Sequence, residues 1–295
     1  MQLALTLVAA DPAALPSPAD IARAIAAVGR VKEPRPLGPG ALDLAVEADT
    51  VADVRTAARA ALTGRPVDVC VQPWNGRRKR LLVADMDSTI IGVECIDELA
   101  DYAGVKAEIA AITERAMRGE LNFETALRQR VARLAGLAES VLAQCYDERV
   151  RLNPGARPLV RTMAANGARC VLVSGGFTHF AERVAAAAGF AAQRSNRLVI
   201  EDGRLSGAVT PPILGADAKL QALLVEAADI GATAAETLAV GDGANDLGMV
   251  EAAGLGVAYR AHGVLAQRAD ARIEHADLTA ALFFQGYKAD AFMTD

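Results

Sequence analysis

The sequence predicts an α/β chain built on a doubly wound parallel sheet, with a helical lobe inserted early in it and a smaller α+β unit ahead of it. Three observations carry this reading. Short apolar runs at 81–84, 169–173 and 237–240 have the length and composition of strands buried on both faces. Each ends in a polar or glycine-rich turn, and helical stretches alternate with the runs, as in a βα repeat. Between the first run and the second, residues 93–150 read as helical throughout and interrupt that alternation.

The smaller unit comes first. Gln2 to Val8 is strand-like, and Pro18 to Val28 has helical apolar spacing at Ile21, Ile25 and Val28. After a Pro/Gly-rich stretch at 34–40, Ala41 to Val46 is strand-like, Val51 to Leu62 helical and Val67 to Val71 a last short strand. One more strand near residue 31 completes β-α-β-β-α-β, a ferredoxin-like split motif over residues 1–72. Gln72-Pro73-Trp74-Asn75-Gly76 and the basic run Arg77-Arg78-Lys79-Arg80 read as a solvated linker into a second unit, 73–295.

In that second unit the lobe divides into Glu94 to Ala103, Lys106 to Met117, Asn122 to Leu134 and Ala138 to Val150, separated by Gly104, the 119–121 turn and Gly136. Alternation then resumes with a helix at 157–166, the 169–173 strand and a helix at 177–188. Asp202-Gly203 marks the turn of a hairpin at 198–207. A helix at about 216–227 carries Lys219, and strand 237–240, a helix from Asp246 and a short strand at 255–259 complete a Rossmann-like sheet. A lobe beside the carboxyl edge of such a sheet can close over a site and exclude water.

Leu81-Leu82-Val83-Ala84 runs into Asp85-Met86-Asp87-Ser88-Thr89. Aspartates at i and i+2 lie on one side of an extended segment, where like charges repel unless a cation separates them. Alone, the pair could equally cap a helix, with help from Ser88 and Thr89. The other strands decide: 169–173 ends in Ser174-Gly175-Gly176, and 237–240 in Gly241-Asp242-Gly243-Ala244-Asn245-Asp246. Ligands of open parallel sheets bind outside the carboxyl ends of the strands, so Asp85, Asp87, Ser174, Asp242 and Asp246 are placed at one site. An all-oxygen carboxylate site suits Mg²⁺, which keeps waters and bridges phosphate oxygens.

Composition narrows the classes. The chain has 295 residues, 52% hydrophobic and 23% charged, as in a globular protein with a sizeable core. A formal net charge of −5 and a pI near 5.4 argue against a nucleic-acid binder. Cys70, Cys95, Cys145 and Cys170 have neither zinc nor disulfide spacing, and no apolar run is long enough to span a membrane. With no secretory leader visible, a cytoplasmic protein acting on a small molecule is expected. His179, His262 and His275 stand apart, without partner spacing.

The motifs Asp85-Met86-Asp87-Ser88-Thr89, Ser174, Lys219 and Gly241-Asp242…Asp246 resemble, in order, the four motifs of the haloacid dehalogenase superfamily of phosphotransferases, over residues 80–260. The resemblance implies that fold, a Mg²⁺ cofactor and an aspartyl-phosphate route. It makes Asp85 the nucleophile and Asp87 the acid/base. Asp85, Asp242 and the Asp87 backbone carbonyl would be metal ligands, with Asp246 orienting waters or Asp242 from behind. Ser174 Oγ and the Gly175 N–H, opening a helix, would hold phosphate oxygens, and Lys219 would pair with both Asp85 and the phosphoryl group. Asn245 would contact substrate or phosphate.

Glu94-Cys95-Ile96-Asp97-Glu98-Leu99 and the segment 119–131 resemble the branch of that superfamily that hydrolyses phosphoserine. There the glutamate at Glu94 binds the substrate ammonium and the arginine at Arg130 its carboxylate, while Met117 and Phe123 line the pocket. An amino-acid head group does need one anion and one bidentate cation. Residues 1–72 resemble the ACT domains ahead of some members. A structural or homodimer-forming role for them is as open as amino-acid sensing. The readings to be separated are therefore a phosphoserine phosphatase acting at the last step of serine synthesis, a phosphatase or phosphotransferase for another small phosphomonoester, and an amino-acid sensor.

Overall fold

The structure, a computed structural model, describes residues 1–294. In the N-terminal unit strands β1 (Gln2–Ala9), β2 (Gly29–Gly38), β3 (Ala41–Ala48) and β4 (Val67–Pro73) form an antiparallel sheet in the order β2-β3-β1-β4. Helices α1 (Pro18–Ala24) and α2 (Val51–Ala61) are capped at their starts by Ser17 and Thr50, whose hydroxyls accept the N–H groups of Asp20 and Asp53. Leu3, Leu5 and Leu7 alternate onto the face that buries Ile21, Ile25, Val54 and Ala58. The Pro/Gly-rich stretch 34–40 is mostly strand rather than connection. Pro34 and Pro36 sit opposite Leu44 and Leu42 in β2, which pairs with β3 alone, so their missing N–H groups cost no ladder bond.

The basic run 77–80 corrects the linker reading, because it is a seam rather than a solvated tether. Arg77 is 7% exposed, donates to Asp43 Oδ2 at 2.9 Å and stacks over Trp74. Arg78 lies over the Tyr287 ring. The Lys79 ammonium donates to the carbonyls of Gly76 and Ala235, and Arg80 to those of Ile230 and Gly231. Charge density along the chain could not reveal these acceptors, all of which except Gly76 come from elsewhere in the sequence. Further along the seam Asp68 accepts the backbone N–H groups of Glu274, His275 and Ala276, and Arg55 pairs with Asp270 at 2.9 Å.

Strand β5 (Leu81–Ala84) starts the second sheet and is followed by the lobe. The lobe comprises α3 (Cys95–Tyr102), α4 (Lys106–Met117), α5 (Phe123–Ala132) and α6 (Ser140–Arg149). Gly104, Gly119 and Gly136, which separate them, adopt left-handed conformations that favour glycine. Then come α7 (Ala156–Ala165), β6 (Arg169–Phe177), α8 (Thr178–Ala188), β7 (Ala192–Glu201), β8 (Arg204–Thr210), α9 (Ala216–Asp229), β9 (Thr237–Gly241), α10 (Leu247–Ala252), β10 (Leu255–Tyr259), α11 (Gly263–Arg268), β11 (Ala271–Ile273) and α12 (Ala280–Phe284).

The sheet order is β11-β10-β9-β5-β6-β7-β8, parallel except for the β7–β8 hairpin. Period-two alternation sends Leu82, Ala84, Leu172 and Val240 to one core, and Leu81, Val83, Val171 and Ala239 to the other. That is the doubly wound arrangement. From β5 the chain moves out through β6 and β7, then returns to β9 on the other side, so the strand order switches beside β5. Strand β11 and α12 lie beyond the elements read from the sequence. Gln72 Nε2 donates to the Phe284 carbonyl at 2.7 Å, tying α12 to the first sheet.

Candidate active site

The strand order dictates where the site falls. Ala84 pairs with Leu172 on one side and Val240 on the other, so the residues after all three strands emerge together. They open a cavity of about 360 Å³ whose lining includes Asp85, Asp87, Gly175, Asp242 and Asn245 from the sheet side and Glu94, Met117, Phe123 and Arg130 from the lobe side.

At the sheet end Lys219, buried on α9, places its ammonium 2.7 Å from Asp85 Oδ1 and 2.6 Å from Asp246 Oδ1. Burial opposes its charge, but the two carboxylates prevail and hold it above the ordinary lysine value. The other oxygen of Asp246 accepts the N–H groups of Asp242 and Gly243, so this carboxylate fixes the loop as well as the lysine. Asp242 Oδ1 accepts the Thr89 hydroxyl at 2.7 Å. Oxygens of Asp85, Asp242 and Asp246 lie within 4.8 Å of one another. Three carboxylates against one ammonium leave an excess of about two negative charges. Accordingly burial and the Asp246 charge push Asp85 well above the usual carboxylate range despite Lys219, and burial pushes Asp242 up to about 6. The donor set is all oxygen, and its charge excess is of the size a divalent cation would neutralise.

Asp87 is held differently. Its Oδ1 accepts the Cys95 N–H at 3.0 Å and its Oδ2 the Ser174 hydroxyl at 3.2 Å, and burial raises its carboxyl. The chain turns sharply after it: Ser88 has a left-handed φ of 56°, a conformation costly for serine, and its hydroxyl donates to Glu94 Oε1 at 2.6 Å. Ser174 Oγ also accepts the Gly176 N–H at 2.8 Å. A Cβ at Gly176 would come within 2.6 Å of Asp87 Oδ2, so a side chain there would displace that carboxylate.

At the lobe end Glu94 faces the cavity, and the surrounding walls together with Asp87 raise its carboxyl to about 7. Arg130 reaches the same cavity from α5 without a carboxylate partner among the described residues, and its buried Nε has no hydrogen-bond partner. Phe123 packs over Gly175 and Gly215, whose Cβ positions would lie 3.0 and 3.2 Å from its ring. Met117 lies at the mouth with 84% of its surface exposed, so it rims the cavity rather than filling it.

Sequence reasoning thus named residues at both ends, and the fold brings Asp85, Asp87, Glu94, Met117, Phe123, Arg130, Ser174, Gly175, Lys219, Asp242, Asn245 and Asp246 to one place. It did not find the separate tasks of Ser88 and Thr89, whose adjacent hydroxyls hold Glu94 and Asp242. Nor did it single out Asn196, a buried polar residue in β7 with no motif around it. Residues 193–197 are all polar, so no alternation in the sequence signals that position 196 is buried.

Comparison with known proteins agrees with this geometry. The haloacid dehalogenase-like hydrolase family profile matches residues 82–251. Phosphoserine phosphatase of Albidiferax ferrireducens is 47% identical over 204 residues, covering 68% of this chain and 86% of its own. The unliganded crystal structure of a probable phosphoserine phosphatase from Vibrio cholerae superposes with a TM-score of 0.76 at 29% identity, over 98% of this chain and 88% of that one. A phospho-aspartyl intermediate analogue of phosphoserine phosphatase superposes with a TM-score of 0.65 at 38% identity, over 70% and 98%. The chain belongs to the haloacid dehalogenase-like hydrolases and, among them, to the phosphoserine phosphatases.

Proposed function

We propose that this cavity hydrolyses O-phospho-L-serine to serine and inorganic phosphate, the closing step of serine biosynthesis. The observation that carries the substrate is the lobe end: an arginine with no carboxylate partner among the described residues and a glutamate face one cavity above a carboxylate cluster. An amino-acid head group supplies the missing partners, its carboxylate to Arg130 and its ammonium to Glu94. Phe123 packs beside the head group and Met117 rims the entrance, while Asn245 reaches the substrate from the β9 side.

In the chemical step the Asp85 oxygen not held by Lys219 attacks phosphorus. The P–O bond to the seryl oxygen breaks, and that oxygen takes its proton from Asp87. Asp87, now ionised, removes a proton from water as the water attacks the aspartyl-phosphate, and the P–O bond to Asp85 breaks to release phosphate. Burial raises Asp87 and favours a proton at rest, while its two donors stabilise the ionised form that later takes one back, a service typically worth about 10²–10⁴-fold. Lys219 holds Asp85 in place and offers positive charge to the phosphoryl oxygens. Ser174 Oγ and the Gly175 N–H bind those oxygens from the other side.

Asp85, Asp242 and the Asp87 carbonyl would hold Mg²⁺, with Asp246 fixing the loop behind them; the ion would neutralise the cluster and polarise the phosphoryl group. The all-oxygen donors and the two-charge excess fit it. Four free, buried cysteines suit a reducing cytoplasm, and no helix among the described residues is long and apolar enough to cross a membrane.

A phosphate-release assay tests this reading across phosphoserine, phosphothreonine and sugar phosphates, with and without EDTA. Phosphoserine is expected to lead by a wide margin, and EDTA to abolish release. Equal turnover of sugar phosphates would overturn the substrate. Release unaffected by EDTA would overturn the metal.

A further inference from the structure

We infer that Asn196 is a positioning residue that holds the phosphate-binding turn and the lysine-bearing helix in one platform, onto which the lobe's Phe123 closes. The inference rests on the phosphatase reading but not on the identity of the substrate.

Asn196 is 1% exposed and lies in β7, away from every motif that carries the chemistry. Its side-chain amide is fully engaged. Nδ2 donates to the Gly175 carbonyl at 2.8 Å and to the Leu214 carbonyl at 3.1 Å, and Oδ1 accepts the Leu214 N–H at 2.8 Å. One planar group thus grips both backbone polar atoms of Leu214 and one end of the turn after Ser174.

The consequence on the first side follows from peptide planarity. The Gly175 carbonyl and the Gly176 N–H belong to one peptide unit, and Ser174 Oγ holds the N–H at 2.8 Å. Asn196 holds the carbonyl. With both ends fixed the unit cannot rotate, so Ser174 Oγ stays within 3.2 Å of Asp87 and the preceding Gly175 N–H keeps its direction. On the second side Leu214 precedes Gly215, the residue that opens α9, and Lys219 follows one turn later. Holding Leu214 sets where α9 begins, and therefore where the ammonium meets Asp85 and Asp246. Backbone conformational freedom at glycines is otherwise large, and this turn has two in succession followed by a third at 215.

The two gripped segments are also the floor for the lobe. Phe123, the first residue of α5, lies against Gly175 and Gly215 together, so close that a Cβ at either would press on its ring. Separation of the two segments by a fraction of an ångström would misplace the phosphate donors, the lysine and the aromatic seat at once. Effects of this size on reacting geometry are costly in rate.

The test is Asn196→Asp, which is nearly isosteric and can still accept from Leu214 but cannot donate to either carbonyl, alongside Asn196→Ala. Both are assayed well below their melting temperatures with phosphoserine and with an aryl phosphate, which has no amino-acid head group, and with inorganic phosphate as competitive inhibitor. The expected result is a loss of about 10–100-fold in kcat/KM for both substrates, with inhibition by phosphate weakened about tenfold, since phosphate donors rather than head-group contacts have moved. A lowered melting temperature with kcat/KM and phosphate inhibition within twofold of wild type would overturn the proposal and leave Asn196 a structural residue. A loss confined to phosphoserine would also overturn it. If the wild-type chain hydrolysed the aryl phosphate but ignored phosphoserine, the substrate assignment would fall while the Asn196 comparison remained readable.

Discussion

The two ends of the cavity are built on different principles. At the sheet end the Lys219 ammonium bridges two carboxylates, Asp246 holds a backbone loop, and Thr89 and Ser174 steady Asp242 and Asp87. At the lobe end, among the described residues, Arg130 has a buried Nε with no partner and the Glu94 carboxylate is held only by Ser88. The sheet end is pre-organised because rate depends on charges that are already placed when the transition state forms. The lobe end keeps its donors free because a substrate must supply their partners, and leaving them unmet is how a site rejects molecules without the right head group. The contrast can be attacked from either side.

The largest effect is expected at the sheet end. Asp85→Asn keeps the shape but removes the nucleophilic charge, the carboxylate facing Lys219 and part of the cation-binding set. Turnover should fall by several decades for phosphoserine and aryl phosphate alike. Measured single-turnover phosphate release is the check, and substantial activity in this variant would remove Asp85 from its role. Because Lys219 would then face Asp246 alone, the loss is not a partition of one residue's contribution.

An intermediate effect, and a selective one, is expected at the lobe end. Arg130→Ala removes the partner proposed for the substrate carboxylate and breaks no hydrogen bond or ion pair at the sheet end. A charge-assisted hydrogen bond contributes about 1.5–3 kcal/mol, and each 1.4 kcal/mol is about a factor of ten. On that basis kcat/KM for phosphoserine should fall roughly 10–100-fold. Hydrolysis of an aryl phosphate should change little. Equal losses on both substrates would mean that Arg130 serves the fold or closure of the lobe, and the contrast between the two ends would dissolve.

How much of this was legible beforehand follows the same division. The carboxyl ends of 81–84, 169–173 and 237–240 could be read because buried parallel strands are short apolar runs with abrupt polar ends. The hairpin at Asp202-Gly203 was legible for a local reason, since both residues take positive φ. What stayed hidden depends on partners distant in sequence. Arg77 reads as a solvated charge until Asp43 and Trp74 arrive from 34 residues and a turn away. Pro34 and Pro36 argue against a strand through the Pro/Gly-rich stretch until that strand proves to be an edge. Asn196 lies outside every element read from the sequence, and its role appears only when Leu214 and Gly175 close on it.

The smallest effect is also the finest probe of the contrast, because it uses protons rather than substitutions. Glu94 has its carboxyl raised to about 7, chiefly by burial in the cavity wall and then by the Asp87 charge. A raised carboxyl is neutral below that value and charged above it, and only the charged form pairs with the substrate ammonium. For phosphoserine, kcat/KM should therefore rise with pH through about 7, and fall by up to about tenfold for each unit below it. An aryl phosphate makes no use of Glu94, so its profile should lack this limb and keep only the titrations of the sheet end. The ratio of the two kcat/KM values, taken from pH 5.5 to 8.5 at constant ionic strength, cancels everything the substrates share. Glu94→Gln, which cannot ionise, should flatten that ratio. A ratio that is already flat in the wild type would show that Glu94 does not bind the ammonium as a carboxylate, and would move recognition of the head group entirely onto Arg130.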